Sequence, residues 1–215
     1  MQNFDMSKHT SFYALGLSYK KADATIRGKF SLDAKAKSTI LIQAEAEGIE
    51  SLIVTSTCNR TEIYGFANHP YELIKLLCEN SLGTVEEFQE VAYIYKNQEA
   101  VNHMFRVGTG LDSQILGDFE IISQLKIAFN ESKSNGLVNS FMERLIIRLF
   151  RQVKKLKQIR RFLQERLQFH LHQFNTSSKM LLILPTKTSC FSELEKLEET
   201  LVKIWLNIPN TSKSR

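Results

Sequence analysis

Apolar and small residues alternate along SFYALGLSY (11–19), and this period of two predicts a strand. After the connection KKADATIRGKFSLD, Ser31 or Asp33 is placed to cap a helix through AKAKSTILIQAEAEG, which Gly48 ends. IESLIVTST is a continuous apolar run and predicts a buried strand. TEIYGFAN alternates and should pair beside it. HPYELIKLLCENSLG predicts a second helix with Pro70 in its first turn and Cys78 on its apolar face, a buried small hydrophobe. VAYIYKN reads as a further strand. The order strand, helix, strand, strand, helix, strand predicts an α+β fold, a ferredoxin-like plait of mixed or antiparallel sheet with helices.

From Gln98 the period changes. EAVNHMFRVGTGLDSQILGDFEIISQLKIAFNESKSNG carries helical apolar spacing broken by glycines. SFMERLIIRLFRQVKKLKQIRRFLQER predicts a longer basic amphipathic helix, its Lys/Arg run a solvated face. After Phe169 the pattern loses coherence: QFHLHQFNTSSKMLLILPTKTSCFSELEKLEETLVKIW holds one short apolar run and one acidic helical segment. No internal repeat is visible.

Composition narrows this only slightly. The 215 residues are 43% hydrophobic and 24% charged, ordinary for a globular protein with a sizeable core. A net charge of +5 suits an anionic partner such as RNA without requiring one. The three cysteines (Cys58, Cys78 and Cys190) are too few and odd in number for a disulfide framework, and point to a reducing cytoplasm. MQNFDMSKHT lacks the apolar core of a signal peptide, and no run approaches the roughly 18 apolar residues of a membrane span.

Three features carry candidate chemistry. Cys58 ends a buried strand within TSTCNRTEIY (55–64); beside Arg60 its thiolate suits acyl transfer, yet Arg60 could equally pair with Glu62 on the surface and leave a structural cysteine. His103, in NHMFRV, is a general acid or, more often for such a residue, a satisfied core or surface histidine, with Arg106 one turn on and on the same helix face. The glycines of GTGLDSQILGDFEIISQ (108, 110, 117) fit neither the Rossmann fingerprint nor the Walker loop. They read better as short turns presenting Asp112, Ser113, Asp118, Glu120 and Gln124 to a small ligand. No pair of His or Cys has metal-ligand spacing.

TSTCNRTEIY, HMFRVGTGLDSQILGDFEIISQLK and YALGLSYKKADATIR together resemble glutamyl-tRNA reductase over roughly residues 10–157. The resemblance implies NADPH-dependent reduction of glutamyl-tRNA(Glu) to glutamate-1-semialdehyde for tetrapyrrole synthesis, through a thioester on Cys58. Thr57, Asn59 and Arg60 then match substrate contacts around the nucleophile, with an Arg suited to bidentate recognition of the glutamate carboxylate. Ser113, the triplet Asp118-Phe119-Glu120 and Gln124 match further substrate positions, and His103 a histidine that supports activity. Where the family has Glu-Pro-Gln this chain has Asp118-Phe119-Glu120, and where it has Ser-His it has Ser18-Tyr19. The family implies a spine helix, an NADPH-binding Rossmann domain, a homodimer, and glutamate-semialdehyde aminomutase as a channelling partner.

The resemblance stops near residue 157, and residues 158–215 read as an aberrant tail in place of the Rossmann and dimerisation domains, loosely ordered or a helix with little tertiary contact. Back-translated one base earlier, FLQERLQFHLHQF (162–174) can spell ISTGATSVSFASVQ. In the same frame TSCFSELEKLEETL (188–201) can spell NILLFGTGKIGRNT, a strand followed by G-x-G-x-x-G. A one-base frame change near Lys155–Arg160 accounts for both. The metal-site look of Cys190, His170 and His172 is then accidental. An alternative function follows: a remnant that binds substrate or tRNA, or only hydrolyses the thioester.

Overall fold

A computed structural model describes residues 10–115 and 119–176, of which 163–176 are described as helix backbone alone. The chain divides into two units, residues 1–147 and 148–215.

The first unit is built on four strands: β1 (Ser11–Ser18), β2 (Leu52–Ser56), β3 (Arg60–Ala67) and β4 (Tyr93–Lys96). Their order is β2-β3-β1-β4, with every neighbouring pair antiparallel. β3 thus lies between β1 and β2 and runs against both, the split β-α-β arrangement of the ferredoxin-like plait. Helices α2 (Ala34–Ala46) and α3 (Pro70–Glu79) connect the strands as the sequence predicts. Asp33, not Ser31, caps α2, accepting from the Ala36 N–H at 2.7 Å. Gly48 follows α2 at φ +72°, a conformation that favours glycine. His69 and Glu72 form a capping box around Pro70.

Two short helices lie outside the sequence expectation. These are α1 (Ala24–Lys29) and α4 (Val85–Val91); the latter takes the start of the expected strand VAYIYKN, leaving β4 only four residues. Each is about two turns or less, too short for apolar periodicity to register.

Residues 13, 15 and 17 of β1, with Leu52, Val54 and Ile63, face α2 and α3 and form the main core with Phe30 and Phe88. The opposite sheet face is covered as well. α5 (Gln98–Gly108) packs on β1 and β4, and α6 (Glu120–Ser134) on β2. Covering both faces makes β1 buried along nearly its whole length. α7 runs from Ser140 to Thr176. It buries Met142, Leu145, Ile146, Leu149, Val153 and Leu156 at helical spacing, while Arg144, Arg148, Arg151, Lys154, Lys155 and Lys157 are exposed. Residues 158–176 of the expected tail continue α7, whereas 177–215, Cys190 among them, lie outside the described residues, as do the side chains of His170 and His172.

Candidate active site

Cys58 and Asn59 are the two loop residues of the β2–β3 hairpin. The Thr57 N–H donates to the Arg60 carbonyl at 2.8 Å and closes it. Two-residue hairpin loops favour turns with positive φ, yet among the described non-glycine residues only Asn97 has one. Side chains therefore stabilise this turn. Thr57 Oγ1 accepts from the Asn59 and Arg60 N–H groups at 3.2 and 3.1 Å. The Asn59 carbonyl accepts from the Tyr19 N–H at 2.9 Å, and the Cys58 carbonyl from Arg27 Nε at 3.1 Å. The result is an exposed thiol on a pinned turn.

Behind the turn lies a buried polar network. Residues two apart on a strand share a face, so Arg60, Glu62 and Tyr64 of β3 all point toward α5. Register sets Glu62 opposite Gly16, and Gly16 opposite Tyr93. A Cβ on Gly16 would stand 2.2 Å from the Thr61 carbonyl oxygen and 2.9 Å from Glu62 Cγ. Its absence lets the Tyr93 hydroxyl reach across β1 and donate to Glu62 Oε1. Glu62 also receives Arg60 Nη1 at 3.1 Å, His103 Nε2 at 2.7 Å and the Tyr64 hydroxyl at 2.6 Å. Arg60 continues to Asp112: Nη1 and Nη2 each lie 3.2 Å from Oδ2, and Nη2 also donates to the Asp112 carbonyl. Lys20 completes the chain on Asp112 Oδ1.

Burial alone would push the Glu62 carboxyl up. The Arg60 guanidinium outweighs it, with His103 and the Tyr64 hydrogen bond, and holds Glu62 at about 2. Burial also works against the Arg60 charge, but Glu62 and its neighbours leave that group more firmly protonated than usual. Burial and then the Glu62 charge raise Tyr64 and Tyr93 well above the ordinary phenol range. An ionised Glu62 only accepts, so His103 Nε2 carries a hydrogen and Nδ1 is the ring atom left for proton exchange. The Tyr93 and Tyr95 rings, 4.8 and 4.7 Å from the His103 ring, hold the imidazole in place.

Two sequence expectations need correction. The Arg60–Glu62 pair exists, but it is buried, at 3% and 1% side-chain exposure, because α5 covers this face of the sheet. Arg106 is exposed whereas His103 is buried, so a spacing of three residues was enough to turn the arginine away from the site. The structure joins Thr57, Asn59 and Arg60 to the Cys58 turn, and links Arg60 onward to Asp112 and, through Glu62, to His103. Ser113 is half-buried in the turn that follows Asp112. Phe119 is the N-cap of α6, Glu120 its exposed first residue, and Gln124 lies one turn on with Oε1 buried and without a hydrogen-bond partner. Asp118 lies outside the described residues. Tyr64, Tyr93, Lys20 and Arg27 were not anticipated, and Glu62 only as a surface partner of Arg60. The signal available was the Arg-x-Glu-x-Tyr spacing of two on a strand.

The described residues do not fit a dinucleotide. A pyrophosphate is received by a glycine turn between a strand and a helix N-terminus. Here Gly108 ends α5, and Gly110, at φ +78°, lies in the turn after a helix C-terminus. Among the described residues no group of three His, Cys, Asp or Glu could hold a metal ion, and no helix is long and apolar enough to cross a membrane.

The family model described as glutamyl-tRNAGlu reductase, N-terminal domain, matches residues 15–160. The chain belongs to this family. It is 75% identical over 157 residues to glutamyl-tRNA reductase 2 of Flavobacterium johnsoniae, covering 73% of this chain and 36% of that protein. Glutamyl-tRNA reductase of Flavobacterium psychrophilum is 71% identical over 157 residues, 73% of this chain and 38% of its own length. The chain thus spans little more than a third of these relatives. Among solved structures, glutamyl-tRNA reductase from Methanopyrus kandleri shares the fold, with a TM-score of 0.55 at 22% identity over 67% of this chain and 33% of that one.

Proposed function

We propose that this chain carries the acyl-accepting half of the NADPH-dependent reduction of glutamyl-tRNA(Glu) to glutamate-1-semialdehyde in tetrapyrrole biosynthesis. The observation that supports it most is the exposed Cys58 thiol on a turn pinned by Thr57, Tyr19 and Arg27 and backed by the Glu62 network. The Cys58 thiolate attacks the ester carbonyl of the glutamyl group. The bond to the terminal ribose oxygen breaks, that oxygen takes a proton, and free tRNA leaves behind a glutamyl thioester. His103, oriented by Glu62, is the proton donor or acceptor for this exchange. Gln124, with an unpaired buried acceptor, offers a contact for the donors of the glutamyl group. When bound, a nicotinamide cofactor supplies hydride.

A second reading is favoured by the lack of a dinucleotide cradle in the described residues: the chain forms the thioester and water cleaves it. Incubation with glutamyl-tRNA(Glu) and NADPH separates the two. Semialdehyde supports the full reaction; free glutamate without aldehyde supports hydrolysis; intact glutamyl-tRNA contradicts both. We also infer that residues beyond about 160, where the family match ends, are encoded in a shifted frame. The gene sequence tests this: codons that fail to spell GTGKIG in the neighbouring frame remove the idea.

A further inference from the structure

Asn97 joins β4 to α5 with φ +48° and ψ −111°, and among the described residues it is the one non-glycine with a positive φ. Glycine usually supplies that conformation, as at the first central position of a type II′ turn. A side chain there is strained and persists only where its surroundings hold it. The β1–β4 register pairs Tyr13 with Lys96, so Phe12 comes opposite Asn97 one step on. The Asn97 N–H donates to the Phe12 carbonyl at 2.6 Å. An antiparallel ladder would return a bond from the Phe12 N–H to the Asn97 carbonyl. That carbonyl has already turned into α5, where it accepts from the Val101 N–H at 3.0 Å. Asn97 Oδ1 takes its place and accepts from the Phe12 N–H at 3.1 Å. The amide oxygen is thereby withdrawn from capping α5, which has no side-chain cap bond.

We propose that Asn97 is a positioning residue for His103: its two-bond clasp on Phe12 lets the chain pass from strand to helix within one residue, and so fixes where the imidazole stands on Glu62. The proposal rests on the reading of His103 as the proton carrier for Cys58. α5 folds back over β4 and β1. His103 follows Asn97 by six residues, a rise of about 9 Å along a helix. The same length back along β4 is roughly two to three residues, which falls between Tyr95 and Tyr93. The His103 ring lies against both, at 4.7 and 4.8 Å, with Nε2 2.7 Å from Glu62 Oε1. With no loop between strand and helix to absorb an error, a change in direction at Asn97 carries straight to the imidazole. A misplacement of about 1 Å can cost about a hundredfold in rate.

The test substitutes Asn97 and reads His103 directly. Asn97→Gly removes Oδ1 but admits the same backbone angles, and Asn97→Asp keeps an oxygen acceptor. The full chain is prepared with isotope-labelled histidine for NMR, and His103→Gln identifies the His103 signals. Single-turnover transfer from glutamyl-tRNA(Glu) is timed in parallel. In Asn97→Gly the His103 Nε2–H signal should shift or broaden. Transfer should slow about ten-fold at saturating glutamyl-tRNA, with the half-saturating concentration unchanged. Asn97→Asp should restore the signal and most of the rate. A merely structural role would lower the urea midpoint of Asn97→Gly while leaving the folded His103 signal and the rate in place, and that result overturns the proposal. If Asn97→Gly does not fold, amide exchange in the unsubstituted chain decides: a protected Phe12 N–H supports the clasp, and one that exchanges freely overturns it. Failure of the acyl-transfer reading looks different: the unsubstituted chain takes up no glutamyl group, while the His103 signal still moves in Asn97→Gly.

Discussion

Glu62 shows what one residue contributes and what its neighbours demand of it. It is fully buried, yet it is ionised because four donors converge on its two oxygens. Glu62→Gln keeps the shape but removes the charge that Arg60 and His103 face, so it should cost roughly 3–5 kcal/mol in urea unfolding. The linkage has a definite sign. The folded-state carboxyl sits near 2 against an ordinary 4.5, so its stabilisation is complete above about pH 4.5 and is lost as pH falls toward 2. Acid titration of unfolding should show about 3 kcal/mol lost across that window, and a smaller loss in Glu62→Gln. At this scale the sequence was half legible. Cys58, Arg60 and His103 were visible as chemistry-bearing types. Glu62 was visible only as a surface partner, because its burial depends on α5, a helix encoded well downstream of β3. Arg27 carried no local signal, since its role comes from a hydrogen bond to a carbonyl 31 residues on.

Among the elements, β1 is the one on which the site depends. It separates the strand bearing Glu62 from the strand bearing Tyr93, and Gly16 is the point at which the two side chains meet across it. Gly16→Ala would press a methyl group on the Thr61 carbonyl, which is backbone and cannot yield cheaply. Strand separation there should destabilise the chain by several kcal/mol, read as a lowered urea midpoint. It should also weaken the Tyr93–Glu62 contact. The strands and the two main connecting helices were legible from periodicity and capping residues, as Asp33 and Pro70 illustrate. α1 and α4 were not, since six or seven residues give too few repeats for a period to emerge. β1 reads as alternating in sequence, yet both its faces are covered. Its small residues, Ala14 and Gly16, face the side where α5 packs.

Taken as a whole, the molecule joins a well-matched plait to a segment beyond residue 160 that the family does not match. The groups that the proposed acyl transfer uses lie in the plait and in α5 packed on it: an exposed thiol, a turn that fixes it, an imidazole oriented by Glu62 and a cation at the cysteine carbonyl. Acyl transfer to Cys58 should therefore proceed in the absence of any nicotinamide cofactor. The direct measurement is to mix the chain with labelled glutamyl-tRNA(Glu) without NADPH, quench in acid and map the label. The account predicts a glutamyl group on the peptide containing Cys58, released by hydroxylamine as a thioester is, and absent from Cys58→Ser. No label on the unsubstituted chain, or equal labelling of Cys58→Ser, would contradict it.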